Sequence, residues 1–545
     1  MSFVPAILEA ARRRDTQQLL IEVHGKRQLP MTGRGFARAV AEVRGFLRQR
    51  AVSPGDRVGL LGPNGSHWAA IDVAIMAEGA ICVPLYSRQE PKQLAGMLRD
   101  AEAKLVIVAD AELQAVIAPH LPAECETVLY ADAAADGGKV DDAVVNTDPD
   151  APVTIIYTSG TSGEPKGVVL SARNIDFMLD VTVARITRMT RMVDSDRNQD
   201  RVFHYLPFCF AGSRIMLWSQ LRRGNPLWMS TDLGNLPEEL ATAAPHYFLN
   251  VPVLLERIRN GVQGKLRERG GALFALYERA MRAGLPPTAA TSWRDRAALA
   301  LARRVIFPRI KSLIGPNLEF LVCGSAPLSA ETQAWFELIG LPIYQVYGLT
   351  ETTGIVTIDD TDHVQVGRVG HAVPGCELKM SEDGELLCRG PNIFCGYFRR
   401  PEASAEVLRD GWFHTGDQVE LNADGSLKII GRLKDVIVPE SGHNVAPAPI
   451  EDRLQRAASG IEQAVVVGHG RPYLTALVSG TIPGDELHAV IEEINSSLPH
   501  YQRLRKAQRV PEPFSPDNGL LTANQKLKRK AIEHHYREAI EEMYR

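Results

Sequence analysis

The stretch Tyr157 to Gly167, YTSGTSGEPKG, places five hydroxyls, three glycines and one lysine in eleven residues. That composition suits a polyphosphate. Glycine lets the backbone take positive φ and approach an anion closely, and successive N–H groups in such turns form anion-binding concavities. Thr158, Ser159, Thr161 and Ser162 add hydroxyl donors around Gly160 and Gly163, and Lys166 adds a mobile point charge. The loop is not a Walker A sequence, in which the lysine follows the last glycine and precedes a hydroxyl; here Lys166 precedes Gly167 and Val168 comes next. A flexible surface turn is the plainer reading of such a composition. The apolar runs Val153 to Tyr157 and Val168 to Leu170 argue against it, because a loop hung from buried strands has its shape fixed.

Three more dense motifs lie downstream. YQVYGLTETTG, Tyr344 to Gly354, combines aromatics able to stack on a purine with the carboxylate of Glu351. A lone carboxylate beside a phosphate site suits Mg2+, which takes one or two carboxylates plus phosphate oxygens. GWFHTGD, Gly411 to Asp417, ends in an acid able to accept hydrogen bonds from ribose hydroxyls, and GRLKD, Gly431 to Asp435, brings Arg432 as its partner. Near the C-terminus, LTANQKLKRK carries Lys526 as one of four basic residues, which composition alone reads as a solvated tail.

The elements around these motifs read as α/β. Up to about residue 350, apolar runs (Arg57 to Leu61, Leu105 to Val108, Val153 to Tyr157, Val202 to Leu206, Tyr247 to Asn250, Leu318 to Val322) alternate with helical patterns, which predicts parallel sheets covered by helices. After Asp359, CELKMSEDGELLCRG and QVELNADGSLKIIG read as short strands joined by Asp-Gly turns, an antiparallel or barrel-like part. Helix and strand patterns return beyond Gly431 and end in a basic helix, Lys526 to Arg545. Gly59 to Trp68, GLLGPNGSHW, lacks the Gly-Lys-Ser/Thr ending of a phosphate loop and reads as a strand and turn.

At 545 residues the chain exceeds a single growing core, so two or more domains are expected. A charge of −4 excludes the chain as a whole from the nucleic-acid binders. Locally, Arg257 to Lys311 holds 13 Lys/Arg against Glu268, Glu278 and Asp295, a net of +10. That region reads as a solvated helical insertion or as a docking face for a phosphorylated cofactor, an acidic carrier domain or anionic lipid. Seven cysteines without CxxC spacing fit a reducing compartment. Trp68 to Tyr86, broken by Asp72, Glu78, Gly79 and Pro84, reads as a buried helix and strand, not a membrane span. With no secretory signal pattern, a cytoplasmic protein is expected, membrane association through 257–311 being the alternative.

Taken in order, the motifs resemble the adenylate-forming superfamily of acyl-CoA synthetases, adenylation domains and luciferases, from about residue 30 to the C-terminus. GSAPLS (Gly324 to Ser329), VGRVGHAVPG (Val366 to Gly375), GPNIFCGYFRRPEAS (Gly390 to Ser404) and NVAPAPIED (Asn444 to Asp452) follow the wording of long-chain fatty acyl-CoA synthetases. The resemblance implies two half-reactions: a carboxylate attacks the α-phosphate of ATP to give acyl-AMP and pyrophosphate, and a thiol, usually of CoA, then displaces AMP. It implies a large N-terminal domain, 1–431, of two helix-covered sheets plus a distorted β-barrel, a hinge at 432–434 centred on Lys434, and a small mobile α+β domain, 435–545. It also implies residue roles. Thr158 to Lys166 would cradle the phosphates, and Thr161 and Glu351 would hold Mg2+. Gly324, Ser325, Ala326, Gln345, Val346, Tyr347, Gly348, Thr350 and Ile429 would line the nucleotide site; Asp417 and Arg432 would bind the ribose. Lys526 would bridge the substrate carboxylate and α-phosphate, with Lys166 and Arg432 as further catalytic cations. Phe210, Ala211, Gly324 and Gly348 would border the acyl pocket, and Gly442, His443 and Asn444 the CoA tunnel.

The chain departs from that pattern at two places. In YLPFCFAGSR, Tyr205 to Arg214, Phe210 stands where the family carries a histidine near the carboxylate, while His204 reads as a strand residue. In VPESGHN, Val438 to Asn444, Pro439 and Glu440 appear and only Gly442 remains of the family's frequent glycine pair. CoA is the expected acceptor, with a carrier-protein phosphopantetheine as alternative. A non-catalytic nucleotide or acyl-CoA sensor is opposed by the intact Lys166, Glu351, Asp417, Arg432 and Lys526.

Overall fold

Strands buried on both faces read as continuous apolar runs, and the runs of the N-terminal part become strands of two sheets. The computed structural model describes residues 3–545 apart from 136–142, 146–147, 160–164, 195, 198, 231, 286–291, 363, 459, 516 and 523–525. The chain divides into two compact units, Met1–Glu377 with Cys388–Phe413 and Asp424–Ser426, and Leu378–Leu387 with His414–Ala423 and Leu427–Arg545.

In the first unit a seven-stranded sheet runs Gly396–Tyr397, Pro165–Ser171, Pro152–Ser159, Ile81–Leu85, Arg57–Leu61, Ala103–Val108, Glu126–Leu129. Its inner strands pair in parallel, whereas Pro152–Ser159 and Pro165–Ser171 form an antiparallel hairpin. A nine-stranded sheet has parallel pairing through Tyr247–Asn250, Leu321–Cys323 and Ile343–Tyr347, with antiparallel strands at both ends. Helix Ser66–Ala77 is buried on nearly every side, as a helix apolar all round must be.

One charged group interrupts that helix. Asp72 is fully buried and pairs with Arg214 of helix Ala211–Arg223, itself fully buried. Trp218 Nε1 donates to Asp72 Oδ2 at 2.9 Å, Arg214 Nη1 donates to Thr154 Oγ1 at 2.6 Å, and the Thr154 hydroxyl donates to the Cys82 carbonyl at 2.7 Å. Two helices and two strands are thus fastened at one point.

In the second unit, residues 378–387, 414–423 and 427–432 form antiparallel-type structure in which Leu427–Arg432 pairs with Trp412–Leu421. Gly384 and Gly425, each following an aspartate, take positive φ at the two expected turns. The expected barrel is corrected here. A barrel needs its first and last strands to pair, and among the described residues Leu427–Arg432 pairs only with Trp412–Leu421, so the sheet stays open. A three-stranded sheet, Ile461–Val467, Leu474–Gly480 and Leu504–Arg509, follows. Along its strands side chains alternate between two cores: Ala464 and Val466 on one face, Val465 and Val467 on the other. The expected C-terminal helix is two helices, Arg529–His535 and Arg537–Tyr544, separated at Tyr536, whose ring packs 5.9 Å from Phe514. Among the described residues no helix is long and apolar enough to cross a membrane.

Candidate active site

The phosphate-loop motif is carried by the antiparallel hairpin. Thr158 faces Lys166 across it and Ser159 faces Pro165. Gly160, Thr161, Ser162 and Gly163 lie outside the described residues. The hairpin closes tightly at its base: a Cβ on Gly167 would come within 2.7 Å of Ile155 Cγ2. Tyr157 anchors the same end, its hydroxyl donating to Asp100 Oδ2 at 2.7 Å while Arg400 holds the other oxygen at 2.8 Å.

Lys166 and Glu351 come together through a residue the sequence motifs did not single out. The Lys166 ammonium lies 5.0 Å from the ring centroid of Tyr397, a cation–π distance, and the Tyr397 hydroxyl donates to Glu351 Oε1 at 2.9 Å. Tyr397 is placed there by strand pairing with Val168. The Phe394 N–H donates to the Glu351 carbonyl at 2.9 Å, fixing the turn that bears the acid. Glu351 Oε2 makes no hydrogen bond among the described residues, and no group of three His, Cys, Asp or Glu converges there. One carboxylate oxygen open beside a phosphate-type hairpin fits Mg2+ taking its remaining ligands from phosphate and water.

Close backbone contacts join the motif at 344–354 to the candidate acyl segment. A Cβ on Gly348 would stand 2.5 Å from the Gly354 carbonyl oxygen, and one on Gly354 would stand 3.2 Å from the Gly212 nitrogen. Only glycines permit this stacking. Buried Asn392 locks the turn, donating to the carbonyls of Thr352 and Ile355 and accepting from the Thr353 hydroxyl through its own carbonyl at 2.7 Å. Phe210 caps helix Ala211–Arg223, its ring 5.9 Å from Tyr86, beside the buried Ala211. Asn64 grips this segment from the turn after Arg57–Leu61, donating to the Leu206 carbonyl and accepting from the Phe208 N–H, each at 2.9 Å.

Gly324 ends strand Leu321–Cys323, where a Cβ would meet Val346 Cγ2 at 2.7 Å. Ser325 follows at φ +74° and is exposed with Ala326. A non-glycine residue held there costs on the order of 1–3 kcal/mol. Gln345 is occupied otherwise. Its amide donates to Gln333 Oε1 at 2.8 Å and the Arg368 carbonyl at 2.9 Å, its N–H donates to Asp359, and its carbonyl accepts from the Asp359 N–H. It braces the end of Ile343–Tyr347, and burial pushes the Asp359 carboxyl up to about 7. His204 is a fully buried strand residue stacked 5.1 Å on Phe208, driven down to about 4 by burial and hence neutral.

In the second unit, Asp417 and Arg432 are register partners on neighbouring strands, joined Nε to Oδ1 at 2.7 Å; Ile429 sits opposite Val419. Asp417 is buried and Arg432 more than a third exposed. Lys434 is exposed in the short turn Leu433–Asp435. Arg529 was not singled out by the motifs. It reaches Asp435 at 3.5 Å and pairs bidentately with buried Glu451, whose Oε1 also accepts from the Val466 N–H at 2.7 Å. Gly442 turns the exposed segment that carries Asn444 and His443, whose ring stacks 4.5 Å on Tyr501. Lys526 is exposed, its N–H donating to Thr522 Oγ1 at 3.1 Å and its carbonyl accepting from the Thr522 N–H at 2.8 Å.

Two helix-covered sheets, a hairpin carrying the Gly/Ser/Thr motif with Lys166 and Glu351 beside it, and a separate C-terminal unit bearing an exposed lysine are the arrangement expected of an enzyme that activates its substrate with a nucleotide. Residues 9–398 match the family model described as AMP-binding enzyme, and residues 434–545 that of the AMP-binding enzyme C-terminal domain. The chain belongs to the AMP-binding enzyme family. It is 32% identical to the long-chain-fatty-acid–CoA ligase FadD15 of Mycobacterium tuberculosis, over 90% of this chain and 88% of that one. It is 27% identical to long chain acyl-CoA synthetase 1 of Arabidopsis thaliana, over 93% and 86%. By fold it is similar to the anthranilate CoA ligase AuaEII bound to anthranoyl-AMP, TM-score 0.76 at 20% identity, covering 99% of this chain and 98% of that one. The A domain of the carboxylic acid reductase from Segniliparus rugosus, bound to AMP and a carboxylic acid, gives 0.78 at 20% identity over 100% and 94%.

Proposed function

We propose that this protein is an ATP-dependent acid–thiol ligase that converts a fatty acid to its CoA thioester through an acyl-AMP intermediate. The observation that carries the reading is the Lys166–Tyr397–Glu351 cluster beside the phosphate-type hairpin, supported by relatives named as fatty-acid–CoA ligases. A carboxylate oxygen of the acid attacks the α-phosphorus of ATP and the bond to pyrophosphate breaks. Charge grows on the phosphate oxygens, where placed cations and donors lower the barrier. Thr158 to Lys166 hold the polyphosphate, and Tyr397 keeps the Glu351 carboxylate and the Lys166 ammonium on one side of it. Thr161 and Glu351 would hold Mg2+, which supplies charge neutralisation. Gly324, Ser325, Ala326, Tyr347 and Gly348 line the base, braced by Gln345, with Val346, Thr350 and Ile429 further along the nucleotide; Asp417 and Arg432 take the ribose; Lys526 meets the substrate carboxylate and α-phosphate. The CoA sulfur then attacks the acyl carbon and AMP leaves with the electron pair, the thiol entering past Gly442, His443 and Asn444.

Phe210 and Ala211 form the wall beside Gly348. With an aromatic where the family has a histidine, the carboxyl end is oriented by packing more than by a hydrogen bond, and an apolar chain gains about 0.8 kcal/mol per buried methylene. Incubation with ATP and a graded series of carboxylic acids, with and without CoA, tests this by mass detection of products. Acyl-CoA rising with chain length across the fatty acids is expected. Acyl-AMP that CoA cannot consume but an acyl carrier protein can would replace CoA as the acceptor, and no acyl product with any acid would leave a binding protein.

The domain boundary is assigned to 432–434, between 1–431 and 435–545, with rotation about Lys434 between half-reactions. Proline fixes φ and restricts the preceding residue, so Lys434→Pro is expected to slow thioester formation by up to about 100-fold, the equivalent of the ~3 kcal/mol proline costs in a backbone it does not fit. Adenylation falls less. Equal loss of both steps, measured separately by single turnover, would reject the hinge.

A further inference from the structure

The basic stretch folds as four helices, Pro252–Arg269, Gly271–Gly284, Trp293–Val305 and Phe307–Ile314. Helix Trp293–Val305 turns Ala298 and Ala302 toward the core. Its outward side carries Trp293, Ala297, Ala300 and Arg304, at spacings of four, three and four residues, one continuous stripe on a helix of 3.6 residues per turn. Trp293 is 69% exposed and Leu301, at the border of the stripe, 50%; on the next helix Leu313 is 82% exposed. The other tryptophans contrast with this: Trp68, Trp218, Trp228 and Trp335 are buried and Trp412 is half-buried.

Arg294, Arg296, Arg303 and Arg304 surround the exposed apolar groups. Among the described residues none of them makes an ion pair, and Arg294 lies 5.5 Å from the Trp293 ring centroid. The only acid of the helix, Asp295, is half-buried and bonded to Ser292 at 2.7 Å. A merely solvated helix carries acids and bases interspersed on its outer face. This one carries Trp293, Ala297 and Ala300 in a row that Arg304 closes, Leu301 at the border, and arginines without an exposed acid on both flanks.

We propose that the outward face of helix Trp293–Val305 docks on an anionic lipid bilayer, lying in the headgroup region without spanning it. Tryptophan prefers that depth. Arginine stems cover the apolar stripe while their heads reach lipid phosphates, and the net +10 of residues 257–311 adds attraction to an anionic leaflet. A fluid lipid surface meets arginines spread over both flanks without a fixed register, which an acidic protein would need. The docking stands independently of the catalytic reading; if that reading holds, it sets the enzyme where its fatty acid partitions.

The test is flotation of the full chain with vesicles of phosphatidylcholine alone or mixed with phosphatidylglycerol, with tryptophan emission recorded. Binding is expected to the anionic vesicles only, to weaken with salt, and to shift the emission to the blue, a shift lost in Trp293→Phe. Arg296→Glu with Arg303→Glu should lower partitioning at least about 25-fold, at about fivefold per basic residue. Lys92→Glu with Lys379→Glu, exposed elsewhere, should change it little. Absence of binding to anionic vesicles, an unshifted emission, or equal loss in both charge-reversed pairs would overturn the proposal. Retention on immobilised acyl carrier protein without vesicle binding would overturn it as well.

Discussion

Lys526→Ala is expected to slow acyl-adenylate formation by about 10²–10³-fold, the scale of removing one donor aimed at developing charge. Thioester formation from supplied acyl-AMP should fall far less, because the α-phosphate transfer is then already complete. The fold should be untouched. Lys526 is exposed, and its backbone is held: its N–H donates to the Thr522 hydroxyl, its carbonyl accepts from the Thr522 N–H, Leu521 bridges Leu527, and Leu520 and Leu521 are buried in the C-terminal core. An exposed side chain in such a setting changes stability by within about 0.5 kcal/mol when truncated. Single-turnover measurement of acyl-AMP, set beside CoA-dependent consumption of synthetic acyl-AMP, separates the steps. An equal loss in both steps would assign Lys526 to a general structural role.

Asp72→Ala is expected to destabilise the first unit by about 3–5 kcal/mol, the range for breaking one partner out of a buried pair. The charge of Arg214 would remain at zero exposure without its carboxylate, still donating to Thr154 Oγ1, and the Trp218 N–H would lose its acceptor. Because helix Ala211–Arg223 starts at Phe210 and meets Gly354 through Gly212, the loss should also raise KM for the acid. Denaturant unfolding reads the stability directly. Asp72→Leu combined with Arg214→Met should recover most of it, since replacing both charges by apolar groups is often neutral or better. If the double variant is as unstable as the single one, packing volume and not the stranded charge is responsible.

The sequence was legible where burial is two-sided or a turn needs glycine. Arg57–Leu61 and Tyr247–Asn250 match their apolar runs residue for residue, and the Asp-Gly pairs at Asp383 and Asp424 mark turns with positive φ at the glycine. Closure of a sheet was not legible, because strand patterns fix which residues face a core but not whether distant edges meet. The break at Tyr536 was hidden for a similar reason: basic residues continue through it, and the ring packing on Phe514 is a tertiary contact.

The candidate site divides the same way. Lys166, Glu351, Asp417 and Arg432 stand out by type and spacing, and two pairs of partners emerge from them, Asp417 with Arg432 directly and Lys166 with Glu351 through Tyr397. Tyr397, Asp359, Asn392 and Arg529 did not stand out. Each acts on a residue at least 14 positions away, and nothing in a linear pattern assigns a lone tyrosine or aspartate its distant partner. Gln345 shows the reverse: family wording puts it at the base, while its amide and both backbone groups are bound within the protein, so it shapes the site as a brace.

Isotope exchange between labelled pyrophosphate and ATP bears most directly on the claim that this chain activates a carboxylic acid as its adenylate. Exchange that appears only when a fatty acid is present, needs no CoA, and is accompanied by AMP once CoA is added is the expected result. Exchange that ignores the acid, or turnover that yields ADP and phosphate in place of AMP and pyrophosphate, would contradict it.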